Sequence, residues 1–349
     1  MNAMQRPSAW QNDPAFLLIV VPATLISSAI VLAFTMPFIG TLIRFRANYT
    51  PRSRVQLDAE EGEESPTEDV KSYFAMLKRV HRVEGWPGLY KGVMPSILES
   101  LISVVFVTPM LAVLYVVSPA RHFHTLITLL FAVCSVLLLI PMEIIKNRTI
   151  TTPYKLRAFE PSKALRLLLT RAERKAPLRL YLLPGVALAS ALPVIISLLI
   201  TMVWQIVAFE LLPLYGTSYW SLAHAVHRLC GVAFLILTTA LITPLHVIRV
   251  RLTMQTLPVD PAAAPSPAGE EPQPEHAPEA QVYSSEDVVE LRSATGRATY
   301  TGVEDCGRSI LREEGKAAFF RGWWLTALGL APMFLFRDGL VYHGFWFAR

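Results

Sequence analysis

The stretch "IPMEIIKNR", residues 140–148, decides how this chain is read. It ends the apolar run "LITLLFAVCSVLLLI" (126–140) with a proline, then sets a carboxylate and two cations beside it. Proline inside a helix removes an amide donor and clashes with the preceding turn, so Pro141 predicts a kink. Glu143 and Lys146 are three apart and share one helical face. Counterpart prolines end two other apolar runs, at "PFIGTLIRFR" (37–46) and "PLHVIRVR" (244–251), each followed by two cations but no carboxylate, with Pro37 104 residues before Pro141 and Pro244 103 residues after it. A period of that length predicts a chain built from three copies of one unit, each kinked at its proline.

Working outward, the chain around these motifs is too apolar for a soluble domain. Of its 349 residues 53% are hydrophobic and only 17% charged, and its mean hydropathy is +0.41. These values place it among integral membrane proteins. Cys134, Cys230 and Cys306 lack paired or metal-ligand spacing, which predicts neither a disulfide framework nor a metal site. The histidines at 122, 124, 224 and 227 fall at helix borders without carboxylate or thiol partners, and no metal is expected there. Met1 to Pro14 carries Arg6 as its one cation and predicts no cleaved secretory signal.

Six apolar stretches, near 15–43, 93–117, 123–147, 183–210, 221–249 and 323–347, are long enough to cross a bilayer. The links between them alternate long and short, which predicts three helical hairpins. Of the 32 Lys and Arg residues, 27 fall in the long links and their borders (44–91, 146–179 and 249–321), so those links share one side of the membrane. "YFAMLKRVHRV" and "CGRSILREE" read as short amphipathic surface helices. Residues 57–69 are acidic and 257–298 begin with a proline-, alanine- and acid-rich run; both are expected to be disordered insertions. The predicted fold is an all-α membrane protein of six transmembrane helices in three pseudo-symmetric hairpins. Its units are a tail (1–14) and repeats at 15–120, 121–215 and 216–349.

A second signature follows the first. "EGWPGLYKG" (84–92) and "EGKAAFFRG" (314–322) share Glu-Gly, apolar or aromatic residues, a cation and Gly at one spacing, while "RLYLLPG" (179–185) keeps only Leu180 and Tyr181 of it. With the proline motif placed three times and the Glu-Gly signature following the first and third, the chain resembles the mitochondrial carrier family. That family carries P-x-[DE]-x-x-[KR]-x-[KR], followed after a loop helix by a Glu-Gly motif ending in [KR]-G. The resemblance runs from about Ala15 to Phe347. It implies tilted helices around a central cavity, with the long links facing the matrix.

It also implies a gate in which the acid of each repeat meets the cation of the next. The residues at those places are Ile39 and Leu42, then Glu143 and Lys146, then His246 and Arg249. Glu143 can meet Arg249, but Lys146 would face Ile39 and His246 would face Leu42, so one bridge of three is expected. His246 reads either as a pH-responsive gate member or as a histidine tolerated at a helix end. At the opposite mouth no acid and cation pair stands at the family's offset. Family contact positions map to Glu99, to Ser190 and Ala191, and to Gly329.

Ionised groups inside a membrane segment are functional candidates by default, which adds Arg337 to the cavity set. Glu99 would favour a cationic or zwitterionic solute; the plainer alternative buries it against Arg337 or a backbone donor. "RFR", "KNR" and "RVR" read as membrane-border anchors rather than nucleic-acid contacts. No phosphate-binding loop, dinucleotide fingerprint or nucleophile triad occurs, so neither an enzyme nor a bound cofactor is expected. The expected partners are a small solute and membrane lipid, cardiolipin among the candidates, around a monomeric protein. Two functions fit: a solute carrier working by alternating access in the inner mitochondrial membrane, or a transport-deficient carrier-shaped adaptor of the outer membrane serving fusion or lipid organisation.

Overall fold

Each apolar run that ends in a proline motif becomes one long helix, and these three helices organise the rest. The computed structural model describes residues 14–52, 70, 72–107, 121–156, 160–208, 222–256, 282–284, 286–292 and 298–335. In chain order the helices are α1 (Pro14–Ala47), α2 (Tyr73–Leu89), α3 (Val93–Ile102, continued by a π turn over Ser103–Val107) and α4 (Arg121–Thr151). There follow α5 (Pro161–Leu168), α6 (Arg171–Lys175), α7 (Val186–Ile206), α8 (Leu222–Thr253), α9 (Val303–Glu313) and α10 (Trp323–Leu335). The described residues hold no strand, only an isolated bridge between Tyr154 and Val282. The fold is all-α.

Four of the described helices are long and apolar enough to cross a membrane: Ile26–Ala47, Leu129–Thr151, Val186–Ile206 and His224–Thr253. A fifth arises if Tyr73–Leu89 and Val93–Phe106, bent by 50° at their junction, count as one span. The apolar stretches expected at 93–117 and 323–347 are described only as far as Val107 and Leu335. Large apolar side chains such as Phe34, Leu130 and Ile236 are exposed on the outside of the bundle. Such a face suits hydrocarbon, where the helix satisfies its own backbone groups.

The helices form a ring. α1 packs on α3, α3 on α4, α4 on α7, α7 on α8 and α8 on α10. Arg46 closes the circle from α1 to the start of α10, donating through Nε to the Arg321 carbonyl at 3.2 Å and through Nη2 to Thr326 Oγ1 at 2.7 Å. α1, α4 and α8 also pack on one another in pairs. Pro37, Pro141 and Pro244 lie within these three helices, 10, 10 and 9 residues before the last helical residue. Beyond the prolines the helix ends are tied together. Asn147 Nδ2 donates to Thr253 Oγ1 at 3.0 Å, and Arg251 Nε to the Arg46 carbonyl at 3.2 Å. Around these ends lie two cores, one centred on Ile140, Ile144, Val186, Val247 and Ile310, the other on Met36, Met76, Val80, Ile150 and Val250.

α3, α7 and α10 each begin just after a glycine with positive φ: Gly92 (91°), Gly185 (75°) and Gly322 (68°). Only glycine enters this region without strain. At Gly322 space forbids a side chain as well, since a Cβ would lie 2.2 Å from Leu42 Cδ1. The amphipathic helices expected before the Glu-Gly pairs are α2 and α9, and α2 is capped by Ser72, whose hydroxyl accepts from the Ala75 amide at 3.1 Å.

Residues 57–69 and 257–281 lie outside the described residues. The end of the second insertion differs from its expected disorder. In "EDVVEL" (286–291), Val288 and Val289 are buried in the second core, supplying apolar area that the preceding proline-rich run lacks. This segment lies against α2 and the residues just past α1. Arg79 donates to the Asp287 carbonyl (2.8 Å), the Tyr49 amide to the Glu290 carbonyl (2.9 Å), and the Glu290 amide to Asn48 Oδ1 (3.0 Å).

Candidate functional site

The cation seven residues past each motif proline is buried against a carboxylate of the following link. Arg44 Nη2 meets Glu84 Oε2 at 2.5 Å. Arg148 holds Glu173 through both terminal nitrogens, at 2.9 and 3.0 Å. Arg251 grips Glu314 in the same bidentate way, with Nη2 to Oε2 at 2.9 Å. Side-chain exposure in the three pairs is 1%/3%, 7%/0% and 4%/1%. The reading of "RFR", "KNR" and "RVR" as border anchors is therefore corrected. Arg44, Arg148 and Arg251 point into the protein because a partner carboxylate is held there, and a guanidinium fork pairs with two oxygens at once.

The Glu-Gly signature explains two of those carboxylates, and its closing cations reinforce them. Lys91 Nζ reaches Glu84 Oε1 at 2.5 Å and the Thr152 carbonyl at 2.7 Å, at the end of α4. Arg321 Nη2 reaches Glu314 Oε2 at 3.0 Å, and the same guanidinium donates to the Asn48 carbonyl and Thr50 Oγ1 just past α1. The middle carboxylate, Glu173, was missed in the sequence. It precedes Gly185 by 12 residues, whereas Glu84 and Glu314 precede their glycines by eight. It was nonetheless marked, because Thr170 and Glu173 form a capping box at the start of α6.

One turn closer to the prolines lies a second, looser layer. Arg249 Nη2 bonds Glu143 Oε2, joining α8 to α4, the pairing expected for these residues. Lys146 does not turn to Ile39: its Nζ lies 2.6 Å from Glu99 Oε2 on α3. Neither Arg337, which lies outside the described residues, nor a backbone donor is needed to neutralise Glu99. This layer is more open than the one below, with side chains 18% and 26% exposed for Lys146 and Glu99, and 19% and 10% for Arg249 and Glu143. His246 stands two residues past Pro244 on α8, the place that Glu143 holds after Pro141 on α4.

The remaining expected cavity positions differ from one another. Ser190 is fully buried, its hydroxyl without a partner, and Ala191 beside it is buried too. Gly329 has open space where a Cβ would stand. Below the ring, burial pushes the thiol of Cys306 and the phenol of Tyr300 up to about 12. No group of His, Cys, Asp and Glu among the described residues could hold a metal ion. His227 instead packs its ring against Trp204, with centroids 5.0 Å apart.

Comparison with known proteins matches residues 280–339 to the family described as mitochondrial carrier protein. Mitochondrial glutamate carrier 2 of Mus musculus is 41% identical over 54 residues, 16% of this chain and 17% of the relative. Mitochondrial glutamate carrier 1 of Homo sapiens is 46% identical over 44 residues, 13% of this chain and 14% of the relative. The electrogenic aspartate/glutamate antiporter SLC25A12, mitochondrial, of Mus musculus is 39% identical over 61 residues, 16% of this chain and 9% of the relative. The matched stretch thus spans less than a fifth of each relative's length. A proline motif recurring on three helices of one ring, each tied to a buried carboxylate, coincides here with that match in the last part of the chain. Over residues 280–339 the chain is similar to mitochondrial carrier proteins.

Proposed function

We propose that this protein is a multi-pass carrier of the inner mitochondrial membrane, that it moves a small solute by alternating access, and that the solute is an acidic amino acid. The observation that carries the reading is the two-layer closure of one mouth. A partly exposed layer of Glu143, Arg249, Lys146 and Glu99 lies over three buried arginine–glutamate pairs. In this reading the buried pairs hold each repeat (15–120, 121–215 and 216–349) as a rigid unit. The upper layer, with His246 beside it, is the matrix-side gate. Opening it separates α4 from α8 at Glu143 and Arg249, and a bound solute shifts that balance only through different contacts in the two states. Pro37, Pro141 and Pro244 set the inclination that brings the helix ends together.

The solute class rests on charge. Glu99, which alone would favour a cation, is neutralised by Lys146. The names of the relatives, glutamate carriers and an aspartate/glutamate antiporter, point the same way. A cavity of about 620 Å³ lined by Tyr73, Trp323, Trp324, Arg52 and Arg321 suits an anionic lipid headgroup and supports the lipid partnership. The adaptor reading gains no support from the relatives. The test is uptake into liposomes containing the purified full chain, offered labelled L-glutamate, L-aspartate, L-lysine and phosphate. Exchange of the first two is expected; uptake of none refutes the proposal.

A further inference from the structure

We propose that residues 282–284 and 286–292 form a strap that fastens the end of α4 to the first repeat and must let go of α4 before this mouth of the carrier can open. The segment belongs to the third link, yet much of what it holds lies in the other two repeats. Its beginning sits on the residues that follow α4. Val282 pairs with Tyr154 as an isolated antiparallel bridge, and the Tyr283 amide donates to the Pro153 carbonyl at 3.3 Å. Two ammonium groups lie over the Tyr283 ring, Lys91 Nζ at 4.4 Å and Lys155 Nζ at 5.3 Å from its centroid, so this one side chain touches the first and second repeats at once.

The middle of the segment is fastened to the first repeat. Glu286 lies 3.2 Å from Arg82 and 3.4 Å from Arg79, and Arg79 also donates to the Asp287 carbonyl. Asn48 and Tyr49 engage both backbone groups of Glu290, and Val288 and Val289 are buried. The end is held to α9, where Arg292 meets both oxygens of Glu313 at 3.1 Å. The anchors differ in strength. The first repeat buries two β-branched side chains, whereas Val282 on α4 keeps 44% of its surface exposed, so the α4 anchor gives way first. Five residues separate Val282 from Asp287, and a chain that short reaches about 17 Å at full stretch. The end of α4 therefore cannot travel far from the first repeat while both anchors hold. α4 also carries Glu143 and separates from α8 in the carrier reading, on which this inference rests.

The test ties the strap down. With the Tyr283 amide bonded to Pro153 beside them, Tyr154 and Val282 form a non-hydrogen-bonded pair, whose Cα atoms stand about 4.5 Å apart, within reach of a disulfide. The full chain carrying Tyr154→Cys and Val282→Cys is placed in liposomes, oxidised with copper phenanthroline and offered labelled L-glutamate, L-aspartate, L-lysine and phosphate, with the disulfide followed by peptide mass. Uptake should fall at least tenfold on oxidation and return with dithiothreitol. The unaltered protein, treated alike because it holds Cys134, Cys230 and Cys306, should be unaffected. Inserting Gly-Ser-Gly-Ser-Gly-Ser after Ser284 lengthens the tether by about 20 Å and should restore uptake to the oxidised variant, which it would not do if the disulfide had only damaged the protein. The strap is overturned if no disulfide forms, if the crosslinked protein transports at the unaltered rate, or if the longer tether fails to restore uptake. Uptake of none of these solutes by the unaltered protein would remove the carrier reading and the strap with it, whereas uptake that survives the disulfide would remove the strap alone.

Discussion

Replacing Glu173 with Gln tests the threefold lock where its sequence signal is weakest. Glutamine keeps the side-chain oxygen that accepts from the Thr170 amide at 2.9 Å, so the capping box survives and only the charge is removed. Arg148 then stays buried and charged, having lost two bonds of 2.9 and 3.0 Å to a carboxylate. Breaking a buried pair in this way costs about 3–5 kcal/mol. Arg148 retains bonds to the carbonyls of Leu168 and Thr253 at 3.1 and 3.3 Å, and another to that of Gln255, which places the expected loss near the lower end, about 3 kcal/mol. At roughly 2 °C per kcal/mol for a large chain, the unfolding temperature should fall by about 6 °C. Seven tryptophans make intrinsic fluorescence on heating in detergent a suitable assay. Glu173→Ala should fall further by about 1 kcal/mol, because the cap is lost as well. A Glu173→Gln loss under about 1 kcal/mol, the range of an exposed pair, would refute the assignment of Glu173 to the lock.

Further outcomes follow from the same geometry. Glu99→Gln should cost under about 1 kcal/mol of stability, because its pair with Lys146 is partly exposed, yet should lower uptake at least tenfold by leaving Lys146 unneutralised in the gate layer. Gly322→Ala combines a φ of 68° with a Cβ 2.2 Å from Leu42, and should cost on the order of 2 kcal/mol in thermal unfolding. The Cys306 thiol, pushed up to about 12 by burial, should resist maleimide at pH 8 until the protein unfolds. The unfolded thiol ionises near 8.5 while the folded one keeps its proton, so its contribution to stability is full below about pH 8.5 and declines as pH rises toward 12. Asn48→Ala should speed hydrogen exchange across 286–292, since the Glu290 amide loses its acceptor at 3.0 Å.

The three long helices and their prolines were legible because apolar length and a bend-forming residue are local properties, visible in each repeat alone. Glu143 with Arg249 was legible for a related reason: two residues at one spacing, on two copies of one motif, must face each other if the copies surround an axis. The partners of Lys146 and Arg148 were not. Lys146 takes Glu99 because the first proline motif offers Ile39 instead of an acid, and an ammonium near the membrane interior must find some carboxylate. Arg148 takes Glu173, which precedes its glycine by 12 residues where Glu84 and Glu314 precede theirs by eight, so a fixed-spacing motif fails while the contact persists. Arg44 and Arg251 look like border residues in sequence, and only packing reveals their burial. Val288 and Val289 gave a weak signal beside a long proline-rich run, two β-branched residues whose burial depends on Met76 and Val80 lying beneath them.

A charge exchange between Glu143 and Arg249 tests the proposed gate most directly. Glu143→Arg and Arg249→Glu, each alone, put two like charges together on α4 and α8 and should abolish L-glutamate uptake into liposomes. The double variant restores an opposite pair between the same helices and should recover at least a tenth of the original uptake. A double variant no more active than the weaker single one would contradict a gate made by these two residues.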